Sequence, residues 1–245
     1  NMVGAVVGVQ PFGGEGLSGT GPKAGGPLYL LRLLSQRPAD ALARTFADAD
    51  RATPPEDAVR ERLLAPLATL QQWAQLQGNA ALASTCQRFA RQTQSGTART
   101  LHGPTGERNV YTLAPRARVL CLAQSVDDLL TQTAAVLATG GTALWPNAQA
   151  SLRAQLPTLV QAQVMLQDNT LNDGTLELDA VLHHGDTPSL QAVCTALTRR
   201  AGPIVGVTAL QPGATDIPLE RLMIERALSV NTAAAGGNAS LMTIG

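Results

Sequence analysis

Short apolar runs alternate with helical patterns from residue 103 onward, and this alternation constrains the fold more than any other feature of the chain. The runs that indicate strands are Val119 to Leu122, Ala143 to Trp145, Val164 to Leu166, Ala180 to Leu182 and Ile204 to Val207. Strands and helices in this succession are typical of a right-handed, doubly wound parallel sheet. Aromatic residues make up only 3% of the chain, and cores of Leu, Val and Ala suit such a sheet. We therefore predict an α/β fold.

Two of the helices between these strands carry end signals. Val126 to Leu137 follows Ser125, an N-cap residue, and has two aspartates in its first turn, where they complement the helix dipole. Ser189 to Arg199 ends in two arginines before Gly202, which is typical of a helix C-terminus.

A helical segment precedes the sheet, because apolar residues recur at three- and four-residue steps between Pro55 and Gly96. Pro66 is expected to kink or restart the first helix, since proline lacks the amide that continues it. A second helix is predicted from about Ala80 to Gln94. Its apolar face carries Leu82, Cys86 and Phe89.

The last part of the chain alternates with a period of two. From Leu219 to Val230, one side carries Leu222, Ile224, Leu228 and Val230, and the other carries Arg221, Glu225 and Ser229. This pattern predicts a long strand, with a helix as the alternative. The tail from Asn231 to Gly245 has no charged residue and consists mostly of small ones, so it needs a surface on which to lie.

Composition excludes several classes of protein. The 18 Lys plus Arg residues equal the 18 Asp plus Glu residues, so the basic excess that nucleic-acid binding requires is missing. The three cysteines lie in apolar runs without metal-ligand spacing, so we expect core cysteines and no metal site. No apolar run reaches the length of a membrane-spanning helix, which is roughly 20 residues, and no signal-peptide pattern opens the chain. The expected location is the cytoplasm.

The segment from Gly4 to Pro27 reads GAVVGVQPFGGEGLSGTGPKAGGP. So many glycines indicate positive φ angles or a close approach of the backbone to another chain segment or to a ligand. A phosphate cradle and a structural turn are both open on this pattern. The glycine spacing matches neither the P-loop nor the dinucleotide-binding fingerprint.

Both ends of the chain resemble a known family. The PFGG element with its following Ser-Gly resembles the C-terminal end of aldehyde dehydrogenases, and in particular pyrroline-5-carboxylate dehydrogenase. The string ERALSVNTAAAGGNASLMTIG, from Glu225 to Gly245, is similar to the terminal motif of the longer proline utilization A enzymes of bacteria. The chain is identified by this resemblance as the C-terminal part of such an enzyme.

The resemblance implies partners and cofactors of a larger parent protein. That parent would join an FAD-dependent proline dehydrogenase to an NAD-dependent dehydrogenase that oxidises glutamate semialdehyde to glutamate. It would form homo-oligomers, in some members carry an N-terminal DNA-binding domain, and associate peripherally with membranes. For this segment the implied partner is the rest of the parent chain, with no nucleic-acid contact.

The resemblance also implies which residues contact substrate. Gly4 and Ala5 match a loop that anchors the substrate carboxylate through backbone amides, and Phe12 matches an aromatic wall beside the aldehyde; the alternative for Phe12 is an ordinary core position. The nucleophilic cysteine, the general base and the oxyanion hole of the family lie upstream of PFGG. We therefore assign no catalytic residue to this chain.

The middle of the chain resembles a degraded aldehyde dehydrogenase cofactor domain. Working domains have a Lys-Pro at the adenine ribose and Phe-Thr-Gly-Ser at the pyrophosphate, whereas this chain has Trp145-Pro146 and His183-His184-Gly185-Asp186. Loss of the lysine removes a donor, and Asp186 adds like-charge repulsion. We expect no cofactor-binding residue here, and a structural or hydrogen-bonding role for the two histidines.

Together these observations predict four parts in an aldehyde-dehydrogenase-like, Rossmann-type fold. Residues 1–34 are a remnant of the dehydrogenase catalytic domain, 35–100 a helical connecting segment, 101–218 the degenerate cofactor-like α/β domain, and 219–245 a flap strand with the tail. The expected function is a non-catalytic lid that stabilises the semialdehyde dehydrogenase. The alternative is a regulatory domain that retains a nucleotide or amino acid in the old cofactor cleft.

Overall fold

The computed structural model describes residues 5–6, 9–19, 21–34, 37–38, 40–46, 52–53, 57–103, 105–168, 171 and 176–232. The chain divides into two compact units. The smaller unit comprises residues 1–55, 96–114 and 225–245, and the larger comprises 56–95 and 115–224.

Helices and strands are numbered in chain order within the described residues. The strands are β1 (Ala52–Thr53), β2 (Ala98–Leu101), β3 (Glu107–Pro115), β4 (Arg118–Leu122), β5 (Thr142–Pro146), β6 (Val164–Gln167), β7 (Ala180–His184), β8 (Gly206–Leu210) and β9 (Met223–Asn231). The α-helices are α1 (Ala41–Thr45), α2 (Asp57–Leu76), α3 (Ala80–Gln92), α4 (Val126–Thr139), α5 (Ala150–Gln155), α6 (Thr158–Gln161) and α7 (Thr187–Thr198). Short 3₁₀ turns span Gly16–Ser18, Leu30–Leu33, Asn147–Gln149 and Leu219–Leu222.

The larger unit contains a parallel five-stranded sheet in the order β6-β5-β4-β7-β8. Leu120 pairs with Leu144 on one side and with Val181 on the other, which sets the register of the three central strands. The predicted α/β fold with a doubly wound parallel sheet is confirmed. Each of the five predicted strands exists, although β8 begins two residues after the predicted Ile204.

The two faces of this sheet are buried by different helices. Leu120, Leu144 and Val181 form a core cluster with Val193 of α7. Side chains alternate along a strand, so the neighbouring residues face the other way. On that side Trp145 donates its indole N–H to the Thr133 hydroxyl of α4, at 3.0 Å.

Helix α4 lies between the sheet and the pair α2 and α3, both of which pack against it. Ser125 caps it as predicted, because its hydroxyl accepts from the Asp128 amide at 3.1 Å. Gly140, at φ +83°, ends the helix in the left-handed conformation that favours glycine. Every residue from Asp128 to Thr139 is buried.

Helix α2 contains Pro66, where we expected either a kink or a restart. The helix runs without interruption through this proline, so of the two the restart does not occur. A proline costs a helix one hydrogen bond, and packing against α3 and α4 offsets that cost. The predicted apolar face of α3 is confirmed, since Leu82, Cys86 and Phe89 are all buried.

The cysteines fall into two groups. Cys86 and Cys121 are buried as expected, and burial raises the pKa of the Cys86 thiol to about 12. Cys194 is exposed, so its prediction as a core residue is wrong. It lies on α7 next to Val193, which is the residue that faces the sheet, and adjacent helical positions point about 100° apart.

The smaller unit contains a four-stranded sheet in the order β1-β2-β3-β9. The predicted long strand exists as β9, and the helical alternative does not. The side chains of β9 do not face the way that the apolar pattern predicts. Glu225 is buried, whereas Leu228 and Val230 are 61% and 43% exposed.

Within the part of the chain that the structure describes, no helix is long and apolar enough to cross a membrane.

Leu144 offers a test of the sheet core. It lies in β5 with no exposed surface, so Leu144→Ala should lower the free energy of unfolding by about 2–5 kcal/mol through lost burial and a residual cavity. Leu76→Ala is the matched control, because Leu76 is 85% exposed at the end of α2, and it should change stability by less than about 0.5 kcal/mol. Urea unfolding of both variants measures the difference, and equal effects would contradict the assigned core.

Candidate functional site at the switch point of the parallel sheet

The strand order of the five-stranded sheet reverses between β4 and β7. Ligands of doubly wound sheets bind in the crevice outside the carboxyl ends of the strands at such a switch point. Leu122 ends β4 here, His183 and His184 end β7, and α4 begins at the same edge. This crevice is therefore where the sheet would hold a cofactor.

His184 lies inside the crevice, and its side chain is completely buried. Its Nε2 is 2.8 Å from the Ala214 carbonyl, which can only accept, so Nε2 carries the ring hydrogen. Nδ1 then accepts from the Gln132 amide nitrogen at 2.8 Å. The same nitrogen donates to the Leu122 carbonyl at 2.8 Å, which fixes the orientation of the Gln132 amide. These bonds join β4, α4 and β7.

A loop of residues 211–218 covers the crevice from the side of β8. The Gly213 amide donates to the Asp128 carboxylate at 2.9 Å, next to the His184 bond with Ala214. Farther along, Arg88 of α3 donates to the Thr215 carbonyl at 2.7 Å. The backbone of this loop therefore bonds directly to the first turn of α4 and to His184, at the edge of the sheet where doubly wound folds bind ligands.

Asp186 has a role in the helix that follows β7. Its carboxylate accepts from the Ser189 amide at 2.9 Å and so caps α7. The hydrogen bonds with Ser189 lower the pKa of Asp186 below its usual value. This cap explains why α7 begins at Thr187, ahead of the predicted Ser189. The helix N-terminus, a common anion site, already has a carboxylate of its own.

His183 faces the other side of the sheet from His184, because consecutive residues of a strand point to opposite faces. It is buried, and its Nδ1 atom has no hydrogen-bond partner among the described residues. A Cβ atom at Gly185 would lie 2.6 Å from the imidazole Cε1, so the glycine allows the ring to lie against the backbone. The two adjacent histidines therefore do not face a common ligand.

Trp145 lies near the end of β5, at the position where the resemblance to aldehyde dehydrogenase cofactor domains predicts a lysine. It is fully buried, and its indole N–H bonds to Thr133 of α4. This residue contributes packing on the α4 face of the sheet.

The residues predicted to contact substrate lie in the smaller unit. Gly4 lies outside the described residues. Ala5 is exposed, and Phe12 is 46% exposed, so Phe12 is not a core residue of this unit. The backbone of Phe12 pairs with Ala24 through two hydrogen bonds of 3.1 and 2.8 Å. Contact of Gly4, Ala5 and Phe12 with substrate stays a prediction.

A buried carboxylate lies behind the glycine-rich segment and was not assigned a role from the sequence. Glu225 of β9 accepts from the backbone amides of Lys23 at 2.7 Å and Leu28 at 3.3 Å, and from the Tyr111 hydroxyl at 2.8 Å. Burial and the adjacent Glu225 carboxylate raise the pKa of Tyr111. Two sequence features could have indicated this contact: a charged residue in an otherwise apolar strand, and a glycine-rich segment elsewhere in the chain.

Comparison with known proteins places the chain in a family. It is 56% identical over 248 residues to the bifunctional protein PutA of Salmonella typhimurium and 53% identical over 247 residues to that of Escherichia coli K12. The corresponding protein of Rhizobium meliloti is 39% identical over 253 residues. All three alignments cover 100% of this chain.

The chain belongs to the PutA family.

It spans 18% of the length of the Salmonella and Escherichia PutA proteins. Among solved structures, PutA from Corynebacterium freiburgense aligns with 94% of this chain and 20% of that chain, at a TM-score of 0.49 and 17% identity. A substrate-bound Staphylococcus aureus AldH aligns with 70% of this chain and 44% of that chain, at a TM-score of 0.45 and 14% identity. No protein-family model matches the chain.

No group of three or more His, Cys, Asp or Glu side chains that could hold a metal ion occurs among the described residues of this PutA segment.

The buried His183 makes this segment sensitive to acid. Burial lowers the pKa of His183 below its ordinary 6.5, so as the pH falls below that value the unfolded chain takes up a proton that the folded chain resists. Stability should therefore be full above about pH 6.5 and fall below it. His183→Gln removes this titration. Urea unfolding at pH 7.5 and 5.5 should show a smaller acid loss in the variant than in the parent sequence, and equal losses would contradict the assignment.

Proposed function

We propose that this chain is a non-catalytic α/β segment of a bifunctional enzyme that oxidises proline to glutamate in the cytoplasm. The curated relatives are named as bifunctional PutA proteins, and the chain covers 18% of the first two of them. In this proposal the segment stabilises and closes the NAD-dependent semialdehyde dehydrogenase, and FAD and NAD bind elsewhere in the parent. A closed cavity limits the loss of a reactive intermediate to water.

The main support for this proposal is that residues of the chain itself occupy the crevice at the switch point. A dinucleotide needs open space at the carboxyl ends of the strands and free amides at a helix N-terminus. Here His184 bonds to Gln132 and to the Ala214 carbonyl, and Asp186 caps α7. A pyrophosphate at α7 would lie against the Asp186 carboxylate, and like charges repel. These residues do not fit NAD.

The alternative, a regulatory domain with a nucleotide or amino acid in the same crevice, meets the same obstacles. A ligand would have to break the bonds of Gly213 with Asp128 and of Ala214 with His184 before it could enter. Both partners of each bond would need new partners, since buried polar groups without hydrogen bonds cost about 1–3 kcal/mol each. We therefore favour the non-catalytic role.

Exposed apolar side chains in the first segment support the rest of the parent chain as the partner. Leu17, Leu30 and Leu33 are 84%, 69% and 70% exposed. Each would gain from burial against another surface, at about 25 cal/mol per Å² of apolar area removed from water.

The isolated chain should neither bind NAD nor reduce it. Calorimetric titration with NAD should give only the heat of dilution, because the crevice is filled by His184, Gln132 and the covering loop. Addition of glutamate semialdehyde and NAD should produce NADH at the buffer rate. The full-length parent protein, titrated and assayed in parallel, is the positive control. Saturable binding by the isolated chain would overturn the proposal in favour of the ligand-binding alternative.

Removal of the tail tests the lid. Residues 233–245 lie outside the described residues, but the tail from Asn231 carries three large apolar side chains near its end, Leu241, Met242 and Ile244. Burial of each contributes roughly 1.5–3 kcal/mol at most, enough to favour a closed lid. Deletion of residues 231–245 from the full-length enzyme should lower semialdehyde oxidation and the coupled flux from proline to glutamate.

Proline oxidation in the same preparation is the internal control, and we expect it to persist. Coupled flux equal to that of the intact enzyme would refute the lid.

A further inference from the structure

The glycine-rich turn of residues 21–28 binds an anion, and that anion belongs to the chain itself. The Glu225 carboxylate receives the amides of Lys23 and Leu28, one from each end of the turn. A Cβ atom at Gly26 would lie 2.6 Å from the nearer carboxylate oxygen, so only glycine lets the backbone close around it. In this part of the glycine-rich segment the backbone therefore closes around a side chain of β9.

The turn is connected directly to Phe12. Ala24 follows Lys23, and its backbone exchanges two hydrogen bonds with the backbone of Phe12. The Lys23 ammonium donates to the Gly13 carbonyl at 2.5 Å. The position of Phe12 and Gly13 therefore depends on the Lys23–Ala24 backbone, which the Glu225 carboxylate holds in place.

Glutamate suits this position through its charge and its lack of donors. An ionised carboxylate only accepts hydrogen bonds, and here all three of its neighbours, two amides and a hydroxyl, can donate. Hydrogen bonds to an ionised acceptor are roughly twice as strong as neutral ones. Each carboxylate oxygen faces one backbone amide, so a glutamine would turn its NH₂ group toward the Lys23 or the Leu28 amide, with which it can form no bond.

We propose that Glu225 is a positioning residue for the substrate-binding segment around Phe12 in the parent dehydrogenase. It acts through the backbone of Lys23 and Ala24 and does not itself contact substrate. Tyr111 is its partner, since the Tyr111 hydroxyl donates to the same carboxylate and keeps it oriented. This inference rests on the proposed function, because it assumes that Phe12 lines the aldehyde site.

The test is Glu225→Gln in the full-length enzyme, read by two independent measurements. Hydrogen exchange should accelerate at the Lys23 and Leu28 amides. The KM for glutamate semialdehyde should rise about tenfold, which corresponds to about 1.4 kcal/mol, while kcat changes less than about threefold. Proline oxidation should stay unchanged. Tyr111→Phe keeps the charge and removes one donor, so it should raise KM in the same direction by a smaller factor, about threefold.

Glu177→Gln is the matched control, because it makes the same chemical change at a side chain that is 82% exposed, and it should leave both readouts unchanged. If Glu225→Gln does not fold, Tyr111→Phe decides the question alone. Unchanged exchange at the Lys23 and Leu28 amides would show that Glu225 does not hold the turn, and would leave the proposed function intact. Faster exchange with an unchanged KM would overturn the positioning role. Failure of the lid would instead appear in the coupled flux of the tail deletion.

Discussion

Burial of α4 on all sides is the constraint on which the larger unit depends. The helix has the sheet on one side and α2 and α3 on the other, and from Asp128 to Thr139 no residue reaches solvent appreciably. A helix so enclosed must satisfy its polar side chains internally. Thr133 therefore bonds to Trp145, and Gln132 bonds to the Leu122 carbonyl and His184. The packing of one helix thus fills the switch point of the sheet.

Much of this unit could be predicted from the sequence, because the signals are local. Apolar runs of three or four residues predict each strand of the parallel sheet, and Ser125 marks the start of α4. What the local signals left open depended on tertiary context. Of the kink and the restart expected at Pro66, the restart does not occur, because neighbours on α3 and α4 support one continuous helix. The exposure of Cys194 depends on which side of α7 meets the sheet, and an apolar helix does not specify that.

The site was harder to predict than the fold, because its bonds join distant residues. The histidine pair was identified, but its division between two faces follows from its place inside β7. For Glu225 the sequence pattern pointed to the wrong side of the strand. Alternation in β9 favours burial of its apolar positions, whereas the structure buries the glutamate and exposes Leu228. The donors that make a buried carboxylate favourable there are the amides of Lys23 and Leu28 and the Tyr111 hydroxyl, all far away in the sequence.

The bond from Lys23 to Glu225 also sets an order of events during synthesis. The two residues are 202 positions apart, and all of the larger unit lies between them in the sequence. At roughly 5–20 residues per second, a ribosome needs about 10–40 s to reach Glu225 after Lys23 has been made. The entropic cost of closing so long a loop grows only with the logarithm of its length. The glycine-rich turn is therefore without its Glu225 partner until the whole larger unit has been synthesised.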